Sequence, residues 1–353
     1  MPSRIAIIGD RFMRASAFRD AIVAACGDGH EIRALDLPWP DEPMAHGWAA
    51  PGLDGLKEYQ GEPDAIVGFV GDAEILVTHL APLSDAMMAG LPALRMVAVS
   101  RGGPVNIDMA AARRRGLEVV GVPGRNASAV AEFTIGAILA ETRRIRAGHE
   151  ALRRGDWRGD LYRSDIAGRE LGEMTVGVVG YGAIGTRVVR LLRAFGCDTL
   201  VADPYVQLDP DDADAGVRHV GLDALLAQAD VVTLHARVTA ETAGLIDATA
   251  IGRMKPGAIL VNTARGPLVD YEALHAALAS GRLAGAMLET FAVEPPPADW
   301  PLLKLPNVTL TPHIAGASQR TIRVAAAGCA EAVRRWIAGR PAGTHSPTGG
   351  PVP

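Results

Sequence analysis

The chain has 353 residues, 48% of them apolar and only 5% aromatic, with a formal net charge of −5. That length exceeds one ordinary α/β domain and points to two. The acidic balance removes any electrostatic reason to expect nucleic acid or an anionic membrane, since both need a basic face.

Residues 5–8 form a strand-like apolar run followed by Gly9-Asp10, the pattern of a first parallel strand, and residues 15–26 carry apolar spacing suited to a helix packed on it. Nothing before this strand has the make-up of a signal peptide, and no apolar run reaches the length of a membrane helix, so a cytoplasmic protein is expected. Cys26, Cys197 and Cys329 have no metal or disulfide spacing and are expected as buried small residues of a reducing compartment. Further strand and helix pairs follow through residues 31–35, and from 74–78 into 84–91. A fourth strand, residues 94–99, ends in Ser100-Arg101-Gly102-Gly103-Pro104. A glycine loop at a strand's C-terminal end is where open α/β sheets bind ligands, and backbone N–H groups beside an arginine suit a carboxylate. Arg113, Arg114 and Arg115 are expected on the solvated face of the next helix, not in a nucleic-acid patch.

A short strand running into Pro123-Gly124 marks a domain crossing. Asn126 or Ser128 can cap a long helix over residues 129–145, apolar on most of its circumference and therefore buried on both sides, within its domain or against a second subunit. Residues 146–171 are polar and arginine-rich around Trp157, as in an arm between elements or an interface segment.

The strongest stretch comes next. Residues 175–179 are a strand-like run that meets Gly180-Tyr181-Gly182-Ala183-Ile184-Gly185. A helical pattern follows (Val188, Val189, Leu192, Phe195), then a second strand-like run ending in Asp203. This is a βαβ unit with a glycine turn. Gly180 makes the tight turn, Gly182 lets backbone approach a pyrophosphate, and Gly185 lets helix and strand pack closely. The helix N-terminus favours the anion, and Asp203 is placed to bind the ribose hydroxyls of the adenosine. Pro204 and its neighbours carry no positive charge for a 2′-phosphate, so NAD is expected over NADP.

Beyond Asp203 the alternation continues, and strand after strand ends in a polar cluster. These clusters are His235-Ala236-Arg237, Asn262-Thr263-Ala264-Arg265, Glu289-Thr290 with Glu294-Pro295, and Thr311-Pro312-His313-Ile314-Ala315-Gly316. Parallel strands put all those ends on one edge. Arg265, Glu294 and His313 can do chemistry there together. Arginine grips a carboxylate or carbonyl with two parallel hydrogen bonds. Histidine exchanges a proton near neutral pH, and a glutamate on its other nitrogen fixes the tautomer and favours the imidazolium. A terminal helix over residues 320–337 precedes a Gly/Pro-rich tail that is expected to be disordered. No metal-ligand cluster is apparent.

These motifs together resemble the D-isomer-specific 2-hydroxyacid dehydrogenases, which include phosphoglycerate, glyoxylate/hydroxypyruvate and D-lactate dehydrogenases. The resemblance runs from about residue 75 to 336 and rests on Asn106-Ile107-Asp108, on residues 126–133 and 176–185, and on 234–242, 262–270, 291–295 and 311–316. It implies an α/β fold of two Rossmann-like domains with parallel sheets, separated by a cleft. One would be a discontinuous flavodoxin-like substrate domain (1–122 plus 315–340) and the other an NAD-binding domain (123–314), with 341–353 as the tail. It also implies a homodimer, and it makes Arg265, Glu294 and His313 the catalytic set acting on a small 2-hydroxy or 2-keto acid. The cofactor would meet Gly180, Gly182, Ala183, Ile184, Gly185, Asp203, Pro204, His235, Ala236, Arg237, Thr242, Thr263, Ala264, Arg265, Glu289, His313, Ala315 and Gly316. The substrate would meet Arg101, Gly102, Gly103, Arg265 and His313, with Arg101 hinting at a polar or anionic substrate tail. Two positions depart from the family pattern. Arg237 stands where a proline is usual, and Glu289 stands where an aspartate normally contacts the nicotinamide end. The other reading is an NAD-sensing, corepressor-like protein of the same fold that binds partner proteins and turns over little.

Overall fold

The computed structural model describes residues 2–39 and 52–339, so the tail expected to be disordered lies outside the described residues. Two compact units emerge among the described residues, one of residues 2–39, 52–126 and 317–339 and one of 127–316.

The first unit begins with β1 (Arg4–Gly9), α1 (Ala15–Cys26) and β2 (Glu31–Asp36), then α2 (Pro63–Val70), β3 (Ile75–Thr78) and α3 (Asp85–Ala89). It continues with β4 (Met96–Val99), α4 (Met109–Arg114) and β5 (Glu118–Gly121). All strand pairs are parallel, in the order β2-β1-β3-β4-β5. This is the flavodoxin-like order. Side chains from β3 and β4 are buried on both faces, which is why these strands read as unbroken apolar runs rather than alternating ones.

The second unit opens with α5 (Ala127–Thr142), α6 (Ile145–Arg153), β6 (Thr175–Val179), α7 (Gly185–Ala194) and β7 (Asp198–Ala202). After it come α8 (Pro210–Asp214), β8 (Arg218–His219), α9 (Leu222–Gln228), β9 (Val231–Leu234) and α10 (Ala248–Arg253). It closes with β10 (Ile259–Asn262), α11 (Tyr271–Ala279), β11 (Gly285–Leu288) and β12 (Val308–Leu310). Its seven parallel strands are ordered β12-β11-β10-β9-β6-β7-β8. One face of this sheet is covered by α5 and α7 through Ile138, Val188 and Leu192, the other by α9, α10 and α11 through Leu225, Ile251 and Leu274. The chain then returns to the first unit as α12 (Gln319–Ile337). Its small residues Ala325, Ala326, Cys329 and Ala330 pack with Ile5, Ile7 and Phe18 of the first sheet and α1.

Three points differ from the sequence expectation. The helix expected over 129–145 starts at Ala127, with Ser128 inside it, and stops at Thr142. Arg144 takes a left-handed φ of 58°, and the chain restarts as α6, which runs into the segment expected to be an arm between elements. Arg146 Nε then donates to Glu141 Oε1 at 3.1 Å, tying the new helix to the old one. The apolar circumference of α5 follows the first of its two expected explanations, since the helix packs within its own unit on α6, α7, β10 and β11. Cys26 is half-buried rather than buried, whereas burial pushes the Cys329 thiol up to about 12. Finally, α2, α8 and β8 are not among the elements expected from the sequence.

Candidate active site

Gly180 follows β6 with φ 95°, and a Cβ there would sit 2.7 Å from the backbone of His235 and Ala236. At Gly185 the added carbon would lie 2.0 Å from the Gly180 carbonyl oxygen. Both positions therefore exclude a side chain, and the turn is closed tightly onto α7. Gly182 is different: it is exposed, and a Cβ there would meet no protein atom within 4 Å. The protein needs no glycine at that point for its own packing, which fits a backbone surface kept clear for a phosphate at the N-terminus of α7.

Asp203 follows β7. Its Oδ2 accepts from Tyr181 N at 2.8 Å and its Oδ1 from Tyr205 N at 2.9 Å, so the carboxylate is locked beside the glycine turn. Pro204 follows directly. His235 and Ala236 follow β9. Thr233 Oγ1 lies 3.0 Å from His235 Nε2, burial depresses the imidazole pKa to about 3, and Nδ1 is buried with no protein partner. Such an orphaned polar atom, at the strand end next to the glycine turn, suits a polar ligand there. The loop beyond is closed by Thr242, whose Oγ1 accepts from Thr239 N at 2.8 Å and donates to the Arg237 carbonyl at 2.5 Å. The Arg237 side chain is exposed.

After β10, Asn262 shapes the next loop. Its Nδ2 donates to the Arg265 carbonyl at 2.9 Å and its Oδ1 accepts from Ala264 N at 3.1 Å. Thr263 is buried, with Oγ1 2.8 Å from Thr134 Oγ1 of α5, and Ala264 is buried beside it. Arg265 keeps accessible surface. Desolvation of its guanidinium lowers its pKa from the usual arginine range, and the nearby Glu294 carboxylate opposes that shift.

His313 follows β12 in a left-handed conformation, φ 54°, an arrangement that a non-glycine residue keeps only when its surroundings hold it. Its N–H donates to the Glu289 carbonyl at 3.0 Å. Its Nδ1 lies 2.8 Å from Glu294 Oε2, while Glu294 Oε1 accepts from Phe291 N at 2.8 Å. Glu289 is fully buried, and its carboxylate accepts from the Thr311 hydroxyl and from Ala315 N. Burial pushes its pKa up, with those two hydrogen bonds opposing the rise. Ala315 is buried, and Gly316 is the last residue of the second unit.

The sheet order lays these residues out in a row: Asp203 after β7, the glycine turn after β6, His235 after β9, Arg265 after β10, Glu289 and Glu294 after β11, and His313 after β12. At roughly 4.8 Å per strand the row spans about 24 Å, the shape of a site for an elongated ligand. Residues 101–103 belong to the other unit, on the C-terminal edge of its sheet after β4. There Arg101 Nη1 donates to the Glu58 carbonyl at 3.1 Å and Nη2 pairs with the Glu58 carboxylate. The charge expected to attract a substrate tail is thus countered within its own unit. Gly102 approaches Pro123, whose Cα would lie 3.0 Å from an added Cβ, while Gly103 is open.

Sequence reasoning missed Gly266. A Cβ there would lie 2.0 Å from the Phe291 carbonyl carbon and 2.3 Å from Ala292 N. This backbone contact brings the Arg265 loop against the segment that carries Glu294. The signal was present as the residue after Arg265, but nothing local names its distant neighbour.

Residues 135–315 match the family model for the NAD binding domain of D-isomer specific 2-hydroxyacid dehydrogenases. The chain belongs to the D-isomer specific 2-hydroxyacid dehydrogenase family. Membership makes it an NAD-dependent oxidoreductase of the 2-hydroxyacid class. It is 38% identical over 287 residues to the glyoxylate reductase of Korarchaeum cryptofilum, covering 81% of each chain. It is 37% identical over 326 residues to the D-3-phosphoglycerate dehydrogenase of Mycobacterium tuberculosis (strain H37Rv), covering 92% of this chain and 56% of that one, so it spans little more than half of the mycobacterial enzyme's length. Among solved structures, D-2-hydroxyisocaproate dehydrogenase superposes with a TM-score of 0.79 at 25% identity, covering 95% of this chain and 97% of the other. The residues present fit NAD, with a clear Gly182 surface, a locked Asp203 and an orphaned His235 nitrogen. No helix among the described residues is long and apolar enough to cross a membrane.

Proposed function

We propose that this dehydrogenase interconverts small 2-keto acids and D-2-hydroxy acids, with His313 as the acid/base, Glu294 as its support and Arg265 as the anchor for the substrate's carboxylate and carbonyl. The observation that carries this reading is the 2.8 Å contact between His313 Nδ1 and Glu294 Oε2 at the end of the row that starts at Asp203. When bound, NAD supplies or accepts the hydride at C2 of the substrate. In the reducing direction the His313 imidazolium gives its Nε2 proton to the carbonyl oxygen, so the carbonyl becomes a hydroxyl. Glu294 on Nδ1 fixes the tautomer and stabilises the cation before that transfer. Arg265 holds the carboxylate so that the carbonyl carbon faces the hydride. Glu289 braces the loop on both sides of His313.

Turnover of a panel of glyoxylate, hydroxypyruvate, pyruvate and longer 2-keto acids tests this, with NADH and with NADPH. Oxidation of NADH by at least one keto acid, at higher kcat/KM than with NADPH, is the expected result, because Asp203 would face a 2′-phosphate. An NAD-sensing binding protein would bind NADH and turn over none of the panel.

We also propose a second copy of the chain as partner, docking on the α6 region. Ile145 and Leu152 are each 58% exposed there, Trp157 is 85% and Tyr162 is 95%. Large apolar side chains in one stretch mark interfaces. Light scattering should give twice the 36.9 kDa chain mass, and Trp157→Ser with Tyr162→Ser should give a monomer. A monomeric unsubstituted chain would overturn the proposal.

A further inference from the structure

We propose that Tyr181 and Asp212 are positioning residues for the adenosine half of NAD, holding the segment 203–209 against the glycine turn through a buried hydroxyl–carboxylate bond. The proposal rests on NAD binding at that turn. Tyr181 occupies the first variable position of the glycine motif, yet its side chain is only 2% exposed. Its hydroxyl donates to Asp212 Oδ2, and Asp212, in α8, is fully buried. Arg193 of α7 donates from Nη1 to the other carboxylate oxygen at 2.6 Å. The same tyrosine hydroxyl accepts from Asp209 N at 3.3 Å, and the Tyr181 backbone N–H holds Asp203 Oδ2 at 2.8 Å. One residue therefore grips both ends of the segment that follows the ribose-binding acid. Two outer contacts close it: His219 Nε2 lies 2.8 Å from the Asp203 carbonyl oxygen, and Arg190 pairs with Asp209 at 3.0 Å.

A fully buried carboxylate is an expensive way to fill space. An apolar side chain of similar volume would stabilise the core as well or better. What the polar arrangement adds is direction, because hydroxyl, carboxylate and guanidinium fix one another's orientation. Burial first, and the Asp212 bond second, push the tyrosine's pKa up to about 12, so the hydroxyl stays a donor throughout the working range of pH. Residues 203–209 form the wall beyond Asp203, and their placement decides how the ribose hydroxyls meet the carboxylate and how poorly a 2′-phosphate fits.

The test compares the unsubstituted chain with Tyr181→Phe and Asp212→Asn, after a melting curve has shown each variant folded. Affinity for NADH and for ADP-ribose is measured by calorimetry. Turnover is measured with NADH and with reduced nicotinamide mononucleotide, which lacks the adenosine half. Tyr181→Phe should weaken NADH and ADP-ribose about tenfold, as expected for losing a hydrogen bond to a charged group. It should raise KM for NADH with little change in kcat and narrow the preference over NADPH. The loss should be confined to cofactors that carry adenosine, and amide exchange across 203–209 should quicken. Asp212→Asn keeps an acceptor and a similar volume, so it should show a smaller loss of the same kind and serves should the phenylalanine variant fail to fold. Unchanged ADP-ribose affinity in a folded variant, or an equal loss with the mononucleotide, would overturn the proposal. Failure of the unsubstituted chain to bind ADP-ribose would instead overturn the NAD reading, and the proposal with it.

Discussion

Replacing His313 with alanine should lower kcat for keto-acid reduction by about 10²- to 10⁴-fold while the dissociation constant for NADH stays near its original value. In the proposed mechanism the imidazole is the proton source at the carbonyl oxygen, whereas the residues proposed to meet the pyrophosphate and the adenosine ribose lie at the ends of β6 and β7, several strands away from β12. Glu294 accepts from His313 and from Phe291 N, so it orients the ring as well as facing its charge. Glu294→Gln should therefore lower kcat about tenfold, with NADH affinity little changed. Glu289 hydrogen-bonds the Thr311 hydroxyl and Ala315 N and meets His313 only through its charge. Glu289→Gln should instead loosen the loop that carries His313, lowering Tm as well as kcat. Near-normal kcat in His313→Ala would sink the mechanism. A Tm lowered by Glu294→Gln and not by Glu289→Gln would exchange the two roles.

Gly266→Ala should cost on the order of 100-fold in kcat/KM, although residue 266 touches no reacting atom. The added carbon would lie 2.0 Å from the Phe291 carbonyl carbon and 2.2 Å from its oxygen, where no side-chain rotation relieves the clash. Backbone must move, and both backbones concerned carry residues of the proposed catalytic set. Arg265 immediately precedes the glycine, and Phe291 N holds Glu294, which holds His313. A displacement near 1 Å between anchor and acid costs about 10²-fold. The overpacking itself should cost about 1–3 kcal/mol of stability, visible as a lowered Tm. ADP-ribose affinity should survive, because β6 and β7 are not involved. A variant with unaltered Tm and kcat/KM within twofold of the original would show that the two loops do not pack as described.

Much of the frame was legible because parallel strands buried on both faces must be continuous apolar runs, and the run at 175–179 is a strand with those same limits. The half-buried edge strand at 308–310 also keeps its expected limits. The glycine turn was legible for a related reason. Its steric demands act within a few residues, so Gly180 and Gly185 reveal themselves in sequence. The break between α5 and α6 was not. Arg143 and Arg144 are ordinary helix formers, and only the tertiary ties of Arg146 to Glu141 and to the Pro306 carbonyl show what α6 is anchored to.

By itself, then, the sequence determined which residue types stand at the strand ends and that those ends share one edge, because strand direction and local backbone geometry are encoded over short distances. Only the tertiary structure decided which of them meet. It gave Glu294 to His313 and Glu289 to Thr311 and Ala315, paired Arg101 with Glu58, and joined Tyr181 to Asp212, 31 residues away. Two glutamates five positions apart look alike in a sequence. Their roles part when folding buries one completely among donors and leaves the other beside an imidazole, and that depends on contacts between segments far apart in the chain.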